Sequence, residues 1–191
     1  MNQSTVSLID VSSYLPGEPI GADYYAQFAG SDDLAANLMF RAPKFRHHVA
    51  PDETAIDMVE RAAQGLIERH GHDVIANVDV LITHTQAPDL PFYGAGGGIA
   101  HRLGMRPNWV LDLHNGGCAA FVLGLNVARQ LLASGSGHTA LIAIAQNAAG
   151  QVFDQPGVRR KAQAAVPGDG AAVGLVTLSD QSPIQIGRAH V

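Results

Sequence analysis

The chain has 191 residues, of which 47% are hydrophobic and 15% charged, and a formal net charge of −5. That length supports one sizeable core, and the composition is that of a globular protein, not a disordered one. The acidic balance argues against nucleic-acid binding as the main role, because neutralising phosphates needs clustered Lys and Arg. The short cluster Arg159-Arg160-Lys161 reads as a solvated loop. No window approaches the roughly 18 consecutive apolar residues of a membrane span, so no membrane association is expected. The low charge points instead to surface buried against a partner. One cysteine cannot form an internal disulfide, and the opening MNQSTVSLID lacks the basic and apolar regions of a signal peptide. Both features fit a reducing cytoplasm.

Strand and helix patterns alternate along the chain. Residues 5–12 read as a strand. Residues 52–70 read as a helix, with Thr54, Ile56, Val59, Ala63, Leu66 and Ile67 on one face. Residues 39–49 lack periodicity and read as an ordered loop. A strand follows at 78–85, then a helix over 93–103 despite the glycines from Gly94 to Gly98. That many glycines lower helix stability, and they make most sense where another backbone packs closely against them. The apolar run from Trp109 to Leu113 reads as a buried strand, and residues 119–133 as an amphipathic helix. Strands at 138–146 and 171–178 flank a loop or insertion at 156–167, and a last strand is expected over 184–190. Alternation of this kind predicts an α/β layered fold with a largely parallel sheet and helices on both faces.

The glycine run is not a dinucleotide loop, because no strand directly precedes it as G-x-G-x-x-G requires. The nine histidines include no H-E-x-x-H and no second cysteine to join them, so no metal site is expected. His114 ends a strand and reads as structural.

Cys118 carries the strongest chemical signal. It sits between the 109–113 strand and the 119–133 helix, at or next to the helix N-terminus. Unpaired N–H groups and the positive end of the helix dipole there favour an anion, and a thiolate is what a nucleophile needs. Gly116 and Gly117 let the chain turn sharply and leave room for a substrate carbonyl beside the sulfur. A small buried cysteine is the plain alternative. The G-x-C-x-G elbow of α/β-hydrolases fails, because Ala120 stands at its last glycine.

Several stretches match, in order and spacing, the N-terminal half of a β-ketoacyl-acyl-carrier-protein synthase III, in the thiolase superfamily. They are VSLIDVSSYLP (6–16), FRHHVAPDET (45–54), DVLITHT (79–85), LPFYG (90–94) with RLG (102–104), NGGCAAF (115–121) and GDGAAVG (168–174). The chain resembles that family over nearly its whole length. The resemblance implies a thiolase-like layered fold, with residues 1–191 forming its nucleophile-bearing half. It also implies that Cys118 takes an acyl group from a coenzyme A or carrier-protein thioester, which then condenses with a decarboxylating malonyl-carrier substrate. No permanently bound cofactor is implied. Phe92 falls where the family places an aromatic that crosses a dimer interface into the partner's acyl pocket, and Asn115, Gly116 and Gly117 form the approach to the sulfur.

Three departures follow from the same resemblance. The family's chain is about twice this length and repeats its fold. Its catalytic His and Asn, and one oxyanion-hole N–H, come from the second half, so a fragment, a cleaved chain or a companion polypeptide is expected. The run from Asp112 to Cys118 is one residue longer than usual. The family's adenine-stacking Trp would fall near Asn37, whereas the only Trp here is Trp109; this favours a specialised acyl transfer over acetyl-coenzyme A priming. The expected reading is an acyltransferase that works as a homo- or hetero-oligomer with a complementary half and an acyl carrier protein. The alternative is a non-catalytic assembly subunit that pairs with an active ketosynthase.

Overall fold

A computed structural model of the chain describes residues 5–40, 43–90, 92–179 and 184–185. In chain order the elements are β1 (Val6–Tyr14), β2 (Ile20–Gly21), α1 (Asp23–Ala26), α2 (Asp32–Ala35), β3 (Phe45–Arg46), α3 (Ala55–His70) and α4 (His72–Ala76). There follow β4 (Val80–Thr85), α5 (Gly96–Arg102), β5 (Trp109–Asp112), α6 (Ala120–Ala133), β6 (Thr139–Gln146), β7 (Gly170–Leu178) and β8 (Ile184–Gln185). The expected last strand is present as β8, and residues 186–190 of that expectation lie outside the described residues. The aperiodic stretch 39–49 holds β3, which pairs with β2; residues 41–42 lie outside the described residues. The 156–167 loop contains a short 3-10 turn, Ala162–Ala165.

Six strands form one sheet in the order β5-β4-β6-β7-β1-β8. It is mixed. β5, β4 and β6 pair in parallel, while β7 runs antiparallel between β6 and β1. β1 therefore points the same way as the parallel trio. From β4 the chain crosses through α5 to β5 on one side, then through α6 to β6 on the other. Right-handed crossovers in opposite directions put their helices on opposite faces of the sheet. On one face Met58, Val59, Ala62 and Leu66 of α3 and Ile99 of α5 pack against Leu81, Leu141, Ala143 and Val173. On the other, Ala128 and Leu132 of α6 pack against Val80, Ile82, Ala140 and Ile142. The alternating residues of β6 thus serve both layers, as the two-residue period of a strand demands.

One strand differs from its reading. β5 was expected to be buried, yet it is the sheet's edge, with Trp109 46% and Val110 40% exposed. Its apolar run is real, but among the described residues only β4 pairs with it.

Helix α3 starts at Ala55, three residues later than the sequence reading of 52–70, because Thr54 caps it. Thr54 and Asp57 form a reciprocal capping box, with Asp57 N–H donating to Thr54 Oγ1 at 3.1 Å and Thr54 N–H to Asp57 Oδ2 at 3.0 Å. Asp89, from the loop after β4, also accepts the Ala55 and Ile56 N–H groups at 2.8 and 3.3 Å. The same loop is held from the other side by buried Asn147, whose amide accepts the Ala87 N–H at 2.9 Å and donates to the Ala87 carbonyl at 2.8 Å.

Asp169, in the GDGA stretch, is 3% exposed and accepts three backbone N–H groups, from Val49 (2.8 Å), Ala149 (2.8 Å) and Gly150 (2.7 Å). It joins the start of β7 to the segment before α3 and to the π-helical turn Ala149–Phe153. Asp169→Ala leaves those donors buried without an acceptor, and is expected to cost about 3 kcal/mol of stability. Urea unfolding checks this; a loss below about 1 kcal/mol would show that the three N–H groups are satisfied without the carboxylate.

At the far end of α3, Arg69 and His70 both donate to Asp10 Oδ2, at 2.6 and 2.8 Å. The Arg69 hydrogen bond first, and then that from His70, hold the Asp10 carboxyl down to about 2, from an ordinary 3.8. A depressed carboxyl stabilises the fold above its unfolded pKa, and that stabilisation is lost as pH falls through the folded value. The difference in melting temperature between wild type and Asp10→Asn is therefore expected to be constant above pH 5 and to vanish between about pH 4 and pH 2.

Candidate active site

The strand order reverses beside β4, and open α/β sheets bind ligands at such a switch point, outside the carboxyl ends of the strands. The end of β4 and the turn after β5 meet there. They line a hollow of about 340 Å³ formed by His84, Thr85, Gln86, His114, Asn115 and Gly117. Cys118 follows directly, in the 3-10 turn Gly117–Ala119 that leads into α6. The thiol is free and exposed. The cysteine is therefore not the small buried hydrophobe of the alternative reading.

The turn's shape depends on its residue types. Asn115 has φ +60° and Gly117 φ +48°; asparagine and glycine are the residues that adopt this left-handed region most readily. Gly116 is required for a different reason. A Cβ there would lie 2.8 Å from the Cα of Ala120, so the turn folds directly onto the first residue of α6. The Ala119 N–H closes it onto the Gly116 carbonyl at 3.0 Å. No side chain caps the head of α6, and its first turn carries no acidic residue. The positive end of the helix is therefore left open beside the sulfur.

Asn115, Gly116, Gly117 and Cys118 come together as expected. Phe92 does not join them within this chain. It is fully exposed, with φ +70°, beside exposed Leu90 and Tyr93; Pro91 of that loop lies outside the described residues. The glycine run also has a different neighbour from the one expected. The helix begins only at Gly96, and what approaches it is side chain, not backbone. A Cβ on Gly94 would overlap the Asp112 carboxylate, one on Gly96 would meet Val110, and one on Gly98 would meet Ile56. Asp112 accepts the Gly96 N–H at 2.9 Å and a hydrogen bond from Thr83 Oγ1. His114 is exposed and lines the hollow, so it is not the packed strand-end histidine that its position suggests.

Sequence reasoning missed His84. It is the last but one residue of β4, whose six residues are all buried, and it is itself 6% exposed. Its Nδ1 donates to the Leu113 carbonyl at 2.7 Å, while its Nε2 is buried without a partner among the described residues. The available signal was an ionisable ring at the carboxyl end of an apolar strand.

Comparison with known proteins decides between possible relatives of this arrangement. The family model for 3-oxoacyl-[acyl-carrier-protein] synthase III matches residues 111–191, a span that contains the Cys118 turn and the GDGA stretch. The chain is similar to β-ketoacyl-[acyl-carrier-protein] synthase III. It is 29% identical over 185 residues to β-ketoacyl-[acyl-carrier-protein] synthase III 2 of Halalkalibacterium halodurans, covering 96% of this chain and 53% of that protein. It is 29% identical over 188 residues to the synthase III of Alkalilimnicola ehrlichii, covering 98% and 56%. A crystal structure of a 3-oxoacyl-(acyl-carrier-protein) synthase III superposes with TM-score 0.75 at 27% identity, covering 96% of this chain and 53% of that one. The priming β-ketosynthase of the R1128 polyketide pathway shares the fold, with TM-score 0.77 at 23% identity, covering 94% and 52%. The thiolase-like layered fold is therefore that of the synthase III structures, and the chain spans about half the length of the curated synthase III relatives it matches.

In this synthase III-like turn, Gly116→Ala forces the chain away from Ala120. The variant is expected to lose about 1–3 kcal/mol of stability, as overpacking does, and to alkylate at Cys118 at an altered rate. Iodoacetamide labelling with intact-mass readout, alongside Asn115→Gly as a variant the left-handed site accepts, checks that the effect belongs to the turn.

Proposed function

We propose that the chain is the nucleophile-bearing part of a synthase III-like acyltransferase, acting on coenzyme A or carrier-protein thioesters in fatty-acid-like or polyketide biosynthesis. The observation that carries this reading is the exposed Cys118 thiol on a tight glycine turn at the uncapped head of α6. The sulfur, once its proton has left, attacks the thioester carbonyl. A new carbon–sulfur bond to Cys118 forms, the bond to the donor sulfur breaks, and the donor leaves as a thiol. The acyl group then passes to an acceptor. In a decarboxylative condensation, a malonyl thioester loses carbon dioxide and its carbanion takes the acyl group from Cys118. No permanently bound cofactor is invoked. The reaction belongs in the cytoplasm, where carrier-protein thioesters are made and thiols stay reduced.

The same reading requires a partner. Val122 is 60% exposed and Leu123 lies beside it on the outer side of α6, while Trp109 and Val110 are open on the edge strand and Phe92 stands clear of the chain. Exposed apolar surface of this kind marks an interface. A second thiolase-like half, separate or linked, covers α6 and supplies the acid–base groups. A second copy pairs along β5, with Phe92 close to that contact.

Two outcomes test these statements. The complete assembly, given a thioester donor, is expected to show a mass increase of one acyl group that is lost in both Cys118→Ala and Cys118→Ser; an adduct surviving both substitutions would move the nucleophile elsewhere. Light scattering is expected to find the chain associated with itself or its partner. A monodisperse 191-residue monomer would contradict the interface assignment.

A further inference from the structure

The hollow beside the Cys118 turn is unusual in its chemistry. Five of its six lining residues, His84, Thr85, Gln86, His114 and Asn115, carry hydrogen-bonding side chains. Ligand pockets are mostly apolar with a few polar groups that fix orientation, and a pocket built for a plain alkyl chain has no use for this lining. One lining group is also left unsatisfied. His84 donates from Nδ1 to the Leu113 carbonyl at 2.7 Å. A carbonyl only accepts, so the proton of the neutral ring is on Nδ1 and Nε2 carries a lone pair. That lone pair is buried with no donor among the described residues. A buried acceptor without a partner is costly, and a site retains one where something else supplies the donor.

His84 is placed to serve the turn. Its β4 neighbours Val80 and Ile82 pack on the α6 side of the sheet, and strand alternation puts His84 on that same side. Its other nitrogen holds the carbonyl of Leu113, two residues before Asn115. The group that would meet His84 therefore enters next to Gly117 and Cys118.

We propose that this hollow is the subsite for the acyl end of a hydroxylated short-chain thioester, with His84 Nε2 accepting the substrate hydroxyl. The proposal rests on Cys118 being the acyl acceptor and adds the substrate class. A hydroxyl fits better than a group that only donates. It donates to Nε2 and has lone pairs left for the amide of Asn115 or Gln86, whereas an alkyl chain would bury five polar residues against carbon. Rejection is strongest where a site built to hydrogen-bond a hydroxyl meets an analogue without one.

The test compares two donors that differ by one oxygen, 3-hydroxybutyryl- and butyryl-N-acetylcysteamine, as acyl donors to Cys118 in the complete assembly, followed by intact mass. The hydroxylated donor is expected to label at least about tenfold faster. His84→Leu should bring the ratio to about one, and His84→Gln, whose amide oxygen still accepts, should keep most of it. In parallel, the Nε2 nitrogen resonance of His84, assigned by its loss in His84→Gln, should shift with 3-hydroxybutyramide and not with butyramide. Equal rates in the wild type, or a ratio unchanged in His84→Leu, would overturn the proposal. Equal loss of both rates in His84→Leu would do the same, because it would put the histidine on the shared thioester arm. If neither donor labels Cys118 but the resonance shifts, the subsite stands and the acyl-acceptor reading of Cys118 falls. If the resonance does not shift either, both fall.

Discussion

The Asp112 carboxylate holds the active end of this sheet together. It stands at the end of β5, six residues before the cysteine, and accepts from Thr83 on β4 and from the Gly96 backbone at the start of α5. That places two strands and a helix under one side chain. The glycines at 94 and 96 exist so that α5 can come this close, since any Cβ at Gly94 would collide with the carboxylate. The helix-destabilising composition of the segment is thus the cost of a close contact. α5 is short as a result, only Gly96–Arg102, and holds its place through Ile99 and Ala100 in the core instead of through intrinsic propensity. The cysteine turn leaves the sheet from this fixed point.

A second constraint acts on the other side of that turn. α6 must approach the sheet closely enough to aim its N-terminus along the ends of β4 and β5. Gly124 makes this possible, since a Cβ there would lie 3.0 Å from Ile142 Cγ2, and Gly174 of β7 leaves room for the ring of Phe121. The inward face of α6 is accordingly small, with Ala120, Gly124 and Ala128 buried. Its outward face is apolar at the N-terminal end, with Val122 and Leu123 exposed, and turns polar at Asn126 and Gln130. Large apolar side chains left open on the first turn of a helix mark a surface that another structure covers. This agrees with a chain spanning about half of its curated relatives.

Much of this was legible in the sequence, for identifiable reasons. α3 carries a 3.6-residue apolar period, which made the helix legible to within three residues, while its start at Ala55 is set by the Thr54 and Asp57 capping box. The order strand, glycine turn, helix around Cys118 followed from composition alone. The edge position of β5 was not legible. An apolar run on both strand faces signals burial, but it does not say whether the covering surface belongs to the same chain. The short elements α1, α2, β2 and β3 were also invisible. Their two to four residues carry no period, and Tyr25 and Phe40 are buried there with Ala162, Ala164 and Ala165, more than a hundred residues away in sequence. His84 escaped notice because threonines flank it in an otherwise apolar strand, and only the register with β5 shows that it meets the carbonyl of Leu113.

The structure divides labour at the site between backbone and side chain. Backbone geometry does the positioning of the sulfur. Left-handed Asn115 and Gly117, the Gly116 contact with Ala120 and the uncapped helix head all act through main-chain shape and dipoles, which need no ionisable partner close to the thiol. Side chains supply the surroundings instead, and in the hollow they are polar. A turn built this way tolerates a change in the neighbouring pocket, because no pocket side chain is needed to hold the cysteine in place. His84 can therefore carry selectivity through Nε2 while its Nδ1 does only the modest work of fixing the Leu113 carbonyl. On the proposed function, the separation of these two tasks lets the same turn present its sulfur while the neighbouring pocket varies.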